Sequence, residues 1–326
     1  MEDLIPDEQV VITVSSDDYI KRMPVSAFRE QRRGGQGVIG MEMKKETDTL
    51  KTVYVASTHD QLLIFTSLGR CYWLKAWQVP ETGRRTKGKP LVNLLEDIQP
   101  NEKIAAILKV RDYNDPGCIL LSTLHGVIKK TELAAFSNPR RKGIFAIDID
   151  EGDQLIAARY VLPGQQVMIF TYNGMAVRFD ESLVRSMGRT ARGVRGVMLK
   201  NHGDRVVACE VVKGDESILV VCENGFGKRS KVEDFRQTNR GGVGVRSIIT
   251  SERNGHVVGA IRVADEDRVF LMSNTGQALR IRMSDVRVMG RSTQGVRLVS
   301  LHEGTTVVGV QKIEALVEEE EVEAAE

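Results

Sequence analysis

The sequence predicts an all-β protein built as a six-bladed, propeller-like array. Three observations carry this. A repeat of about fifty residues recurs six times, its hairpin turns are marked by glycine, and its segments are rich in β-branched and aromatic residues. Residues 167–179, 218–230 and 269–281 align without gaps, with turn glycines Gly174, Gly225 and Gly276 spaced 51 apart. Earlier copies are residues 62–74 with Gly69, 118–130 with Gly126, and 10–22 with Asp18 in the place of glycine.

Each copy reads as strands. Runs such as Val167–Thr171 suit a pleated, half-buried surface. Asn173-Gly174 and Asn224-Gly225 predict two-residue hairpins in which both turn positions take φ > 0. A third run follows a basic loop, as at Gly196–Leu199, and a fourth closes the unit, as at Arg205–Val212. Four strands per repeat would give four-stranded blades with short, protected edges; an open β-solenoid is the alternative. No long helical period is present, and Thr131–Phe136 suits a short turn.

A second landmark lies nineteen residues after the turn: Gly193, Gly244, Gly295, Gly88 and Gly37, with Gly143 at seventeen. Each closes a basic loop. The first is Gln31-Arg32-Arg33-Gly34-Gly35-Gln36-Gly37, two guanidinium groups beside three glycines. Arginine offers a planar donor fork that fits phosphate oxygens, and glycine lets a polyanion's backbone come close. The other loops carry Arg84, Arg85, Lys87 and Lys89; Arg140, Arg141 and Lys142; Arg189, Arg192 and Arg195; Arg240 and Arg246; and Arg291 and Arg297. Four residues after the turn landmark stand Arg22, Lys130, Arg178, Arg229 and Arg280; the second copy has Trp73 there, with Lys75 two residues later. Recurrence at one repeat position predicts a cationic rim for a polyanion. The bland reading of any single cation is a guard on an exposed strand end.

Charge agrees. The net charge of +2 hides seven Glu in residues 314–326; without them residues 1–313 carry +9, and residues 10–313 carry +13. Hydrophobic content of 41% supports a core, and no apolar run spans a bilayer. The acidic start Met1-Glu2-Asp3 lacks a signal-peptide charge pattern, and Cys71, Cys118, Cys209 and Cys222 form no CxxC pair. Reduced thiols and a cytoplasmic setting are expected.

The heptapeptide, its place in the first repeat and the repeat period together resemble the C-terminal domain of DNA gyrase A. The family's box in the first repeat is Gln-basic-Arg-Gly-Gly-basic-Gly, and residues 31–37 match except at Gln36. The resemblance covers residues 5–313 and implies a β-pinwheel, a disc of six Greek-key blades with duplex DNA bent around its basic rim. The repeat spacing and the charge give an acidic linker 1–9, blades at about 10–60, 61–117, 118–164, 165–215, 216–266 and 267–313, and a disordered acidic tail 314–326. The resemblance further implies that the box joins the first and last blades and secures a wrap of one handedness. Gyrase B and the N-terminal region of gyrase A would be partners in an A2B2 holoenzyme; ATP, magnesium and the cleavage tyrosine would belong to those parts, with no cofactor here.

The related domain of topoisomerase IV, which steers substrate choice, is the nearest competitor, and a degraded or absent box separates it. A scaffolding propeller would not need the +13 body, and a pocket enzyme would need convergent titratable groups. The acidic tail could compete with DNA for the rim or simply solubilise the chain. Residues 83–89 imitate a nucleotide-binding loop but place Pro90 where Ser or Thr should hold magnesium. His59, His125, His202, His256 and His302 lack metal-ligand spacing. Arg159-Tyr160 resembles a topoisomerase cleavage pair but lies in a strand-like run, so Tyr160 reads as structural.

Overall fold

A computed structural model describes residues 4–25, 50–83, 86–275 and 278–312. The heptapeptide 31–37, Arg84, Arg85 and the tail 314–326 lie outside the described residues.

Among the described residues, six antiparallel sheets form the blades. The first contains β1 (Gln9–Ser15), β2 (Tyr19–Pro24) and β3 (Leu50–Ser57), and the second β4 (Gln61–Thr66) and β5 (Arg70–Lys75). A two-residue strand, β6 (Lys89–Pro90), precedes β7 (Ile104–Val110) of the second sheet. The third sheet has β8 (Cys118–Thr123) and β9 (Val127–Glu132), then β10 (Ile144–Phe145) intervenes before β11 (Leu155–Val161). The fourth has β12 (Gln166–Thr171), β13 (Met175–Asp180) and, after β14 (Val194–Arg195), β15 (Val206–Val212). The fifth has β16 (Ser217–Cys222), β17 (Phe226–Lys231) and, after β18 (Val245–Arg246), β19 (Val257–Val263). The sixth has β20 (Arg268–Ser273), β21 (Ala278–Arg282) and, after β22 (Val296–Arg297), β23 (Val307–Lys312).

The strand orders are β3-β1-β2-β6, β7-β4-β5-β10, β11-β8-β9-β14, β15-β12-β13-β18 and β19-β16-β17-β22. Each two-residue strand therefore completes the blade of the preceding repeat. The blade is not a contiguous piece of chain, as four strands in succession would have made it. Gly196–Leu199, expected as a strand, is not one; the strand is Val194–Arg195 and it pairs with β9. In the sixth sheet β21 pairs only with β20 among the described residues.

The hairpins also depart from the two-residue form. Gly174 has φ 86°, but Asn173 is not at positive φ, and Gly174 N donates to Thr171 O at 3.0 Å. This is a three-residue connection, a type I turn followed by a left-handed glycine. Ser or Thr before the turn explains a buried hydroxyl at the sheet end: Thr171 Oγ1 accepts from Met175 N at 3.2 Å, and Thr123 Oγ1 from Val127 N at 3.1 Å. Asp18 takes the left-handed position at φ 57°, and its carboxylate accepts from Ile104 N at 3.1 Å, a bond glycine could not make.

Five apolar clusters fill the seams from blades one and two to blades five and six. An edge-to-face pair recurs in them: Phe65 on Phe136 at 5.8 Å and Phe170 on Phe235 at 6.3 Å, worth about 0.5–1.5 kcal/mol each beyond area burial. Strands β3, β11, β15, β19 and β23 contribute residues to one central cavity of about 410 Å³, which leaves the β2, β5, β9, β13, β17 and β21 edges at the outside.

Candidate nucleic-acid interface

The outer edge of each of the first five blades is finished by the next repeat. Gly193 has φ 96°, and a Cβ there would lie 2.7 Å from Ile128 O; at Gly244, φ is 80° and the distance to Ala176 O is 2.1 Å. Only glycine lets the incoming loop turn that close to the preceding blade. The loop then forms its two-residue strand and bonds back to the turn glycine: Gly196 N to Gly126 O at 2.7 Å, Ser247 N to Gly174 O at 2.7 Å, and Leu298 N to Gly225 O at 2.9 Å. The two glycine landmarks thus recur together because the turn of one repeat receives the loop of the next.

Arg195, Arg246 and Arg297 stand at one place on these outer strands, opposite Val127, Met175 and Phe226, and all three are exposed. Lys89 is exposed on β6, and Arg140, Arg141 and Lys142 are exposed in the loop before β10. Arg141 approaches Glu96 at 3.8 Å, and Arg192 is paired with Asp150 at 2.5 Å. Arg189 is half-buried. Lys87 lies 3.7 Å from Asp17, with Nζ 3.8 Å from the centre of the Tyr19 ring. Arg280 is exposed on β21 and Lys75 is half-buried at the end of β5.

Several expected phosphate ligands are engaged inside the protein instead. Arg240 donates through Nε to Leu183 O at 3.1 Å and through Nη1 to Arg195 O at 2.5 Å. Arg291 repeats this one blade on, to Asp234 O and Arg246 O, both at 3.2 Å. These two arginines lace successive rim strands together.

Of the cations four residues after the turn landmark, Arg22, Lys130, Arg178 and Arg229 reach across the seam instead of out to a polyanion. Arg22 donates to Val79 O at 2.8 Å and pairs with Glu81 at 2.6 Å. Lys130, 9% exposed, donates to Glu181 O at 3.2 Å and pairs with its carboxylate at 2.5 Å. Arg178 donates to Val232 O at 3.1 Å, Phe235 O at 2.8 Å and Gln166 Oε1 at 2.6 Å. Arg229, 5% exposed, donates to Met283 O at 3.3 Å and pairs with Asp265 at 2.5 Å. Each acceptor carbonyl lies in or just after the short 3-10 turn of the next repeat (Ala76–Gln78, Glu181–Leu183, Val232–Asp234, Met283–Asp285). These side chains hold blades together.

Two sets escaped the sequence reading. Arg185, Arg236 and Arg287 are exposed, follow the 3-10 turns, and make no ion pair among the described residues. Their spacing of 51 was the available signal. Ser186 and Val288 bridge in parallel to Lys130 and Arg229, which sets these arginines along the same outer edge as Arg195 and Arg297. The second set is Lys21, Lys129 and Lys228, wholly buried; burial alone draws the first down to about 8 and is the main cause for the other two, also at about 8.

Tyr160 is half-buried, and its hydroxyl accepts from Gly117 N at 3.1 Å, a structural bond. All four cysteines are free thiols; burial pushes Cys209 and Cys222 up to about 12. No three His, Cys, Asp or Glu side chains converge among the described residues, and no helix among them is long and apolar enough to cross a membrane.

Fold and rim define a class: a six-bladed β-propeller whose blades exchange an outer strand and whose edge carries repeated cations. Within that class, the chain belongs to the family described as the DNA gyrase C-terminal domain, beta-propeller, which matches residues 9–57, 60–111, 119–161, 165–213, 216–264 and 267–314. It is 60% identical over 323 residues to the DNA gyrase A protein of Chlamydia pneumoniae, covering 99% of this chain and 39% of that protein. The chain therefore spans about two fifths of the length of such relatives. A solved DNA gyrase A C-terminal domain superposes with TM-score 0.78 at 27% identity, covering 94% of this chain and all of that one. The C-terminal domain of a DNA topoisomerase IV gives the same TM-score at 28% identity, covering 99% and 98%.

Proposed function

We propose that this chain binds duplex DNA without sequence specificity and bends it around the rim with one handedness, so that a gyrase holoenzyme introduces negative supercoils. The observation that carries the reading is the recurrence of Arg195, Arg246 and Arg297, exposed at one position on three successive blades. Bending stiff duplex costs several kcal/mol, and phosphate contacts repeated along a curve are the means to offset it. The chain itself is non-catalytic in this reading. Strand cleavage, ATP and magnesium belong to the N-terminal region of gyrase A and to gyrase B, in the cytoplasm.

The box 31–37 has a distinct role here. In the other repeats the equivalent loop crosses to the preceding blade, and β21 of the sixth blade has one free edge among the described residues. This supports the first repeat's loop as the piece that joins first and last blades and fixes the last stage of the wrap. Arg32→Ala with Arg33→Ala should abolish the linking-number shift of nicked circles religated with the protein bound, while leaving most of the plain duplex affinity. An unchanged shift overturns it.

The likeness to a topoisomerase IV domain gives weak support to one second reading, a domain that steers substrate choice. Assembly with the gyrase partner proteins and a supercoiling assay separates the two.

A further inference from the structure

The rim loops are of two kinds, distinguished by what lies beneath them. Three residues after each of the first five turn landmarks stands a side chain on which the next repeat's loop glycine packs. A Cβ on Gly88 would lie 3.0 Å from that of Lys21, on Gly193 3.1 Å from that of Lys129, and on Gly295 3.3 Å from that of Lys228. On Gly143 it would lie 2.8 Å from Cε1 of Tyr72, and on Gly244 2.9 Å from Cγ2 of Val177. Lysine therefore alternates with an uncharged residue from repeat to repeat. Each lysine is 0% exposed.

Seam packing does not explain a lysine here. Burying an ammonium is costly, and Val177 fills the same place without that cost. What the lysines add is a set of charge-assisted bonds to loop backbone. Lys21 Nζ donates to Thr86 O at 2.9 Å. Lys129 Nζ donates to Arg189 O at 2.5 Å and to Ala146 O at 2.6 Å. Lys228 Nζ donates to Gly290 O at 3.1 Å, to Thr293 O at 3.5 Å, and to Arg291 O. Apart from Ala146 O, the carbonyls belong to the loops that lead into Lys89, Arg195 and Arg297. The loops before β10 and β18, seated on Tyr72 and Val177, have no lysine at this place; Arg70 donates instead to Lys142 O in the loop before β10.

We infer that Lys21, Lys129 and Lys228 are positioning residues for duplex binding, each holding the backbone of the loop above it so that its rim cations are pre-set to meet phosphate. The inference rests on the rim being the duplex-binding surface. Pre-set loops avoid the ordering cost that a mobile loop incurs on binding.

Lys129→Met and Lys228→Met, made singly and together in the full chain, test it. Methionine keeps the length and removes the buried charge, so the fold should be retained. Amide exchange in residues 189–193 and 290–295 should rise about tenfold, with 140–143 and 240–244 unchanged. The dissociation constant for a linear duplex should rise about fivefold per site. The slope of log affinity against log salt should stay the same, because no phosphate ligand is deleted. A variant that only lost packing would show a lower melting temperature with unchanged loop exchange and affinity, and that result overturns the inference. Should the methionine variants not fold, Lys129→Leu and Lys228→Leu remove charge and donor in a side chain of similar bulk, and wild-type loop exchange in them overturns it equally. A wild-type chain that fails to bind duplex sinks the reading of the rim instead, while the exchange difference still decides whether the lysines hold the loops.

Discussion

Trp73 and Arg178 do the same work with different chemistry. The indole Nε1 donates to Phe136 O at 2.9 Å and the guanidinium Nη1 to Phe235 O at 2.8 Å, across equivalent seams and onto equivalent carbonyls. Arg22 makes the same bond to Val79 O. The position selects an N–H donor that reaches across a seam, and the ion pairs of Arg22, Lys130 and Arg229 come in addition to it. Trp73→Phe should therefore lower stability by about 1–3 kcal/mol, the cost of a part-buried carbonyl left unpaired. Duplex affinity well below the melting temperature should not change. Lys130→Ala should cost more, about 3–5 kcal/mol, because buried Glu181 loses its cation. Urea unfolding checks both, and a loss of duplex affinity without loss of stability would return these residues to the rim.

Cations on the rim and cations that lace it separate in a salt titration. Arg195→Ala, Arg246→Ala and Arg297→Ala each delete an exposed guanidinium. Each should reduce the slope of log affinity against log salt by about 0.9, with stability within about 0.5 kcal/mol of wild type. Arg185→Ala, Arg236→Ala and Arg287→Ala should behave the same way. Arg240→Ala should do the reverse, since its two bonds go to Leu183 O and Arg195 O. It should lose about 1–2 kcal/mol of stability and keep the slope.

The repeat was legible because its punctuation is conformational. Gly126, Gly174 and Gly225 sit where the turn requires a left-handed residue, and the loop glycines sit where a Cβ would strike a carbonyl. The exchange of outer strands was not legible. Pairing β14 with β9 rather than with its own repeat leaves the 51-residue period unchanged, so periodicity cannot report it. The basic residues were visible as residues but not by direction. Arg195 and Arg229 look alike in sequence, yet one faces solvent from a two-residue strand and the other reaches across a seam into Met283 O. Trp73, an indole in a row of cations, was the clue, because an indole donates to a carbonyl but cannot neutralise a phosphate.

Phe145 interrupts the rim. It occupies on β10, opposite Arg70, the place that Arg195, Arg246 and Arg297 hold on later blades, and it is 61% exposed. Phe145→Arg restores the repeated cation on blade two. The salt slope should steepen by about 0.9, so that affinity rises at low salt and converges on wild type at high salt. Stability should be within about 0.5 kcal/mol of wild type, because the side chain faces solvent. An unchanged slope would mean that the duplex path leaves blade two.

The buried lysines also give the fold a pH dependence of definite sign. Burial draws Lys21, Lys129 and Lys228 from 10.5 to about 8; Arg189 beside Lys129 and Arg291 beside Lys228 add to the fall, while Asp148 opposes it at the first and Cys222 and Asp234 at the second. Below about 8 the lysines are charged in both states, and the cost of burying them is fully present. Between about 8 and 10.5 the unfolded chain keeps protons that the folded chain releases, so stability should rise with pH. Cys209 and Cys222 act oppositely above 9.0, since their folded values are pushed up to about 12. The lysine effect should therefore show most clearly between about 8 and 9. Urea midpoints across that window should increase for wild type and flatten in Lys129→Met with Lys228→Met. A wild-type midpoint that stays flat there would mean that the carbonyls hold the ammonium groups charged to higher pH than burial alone allows.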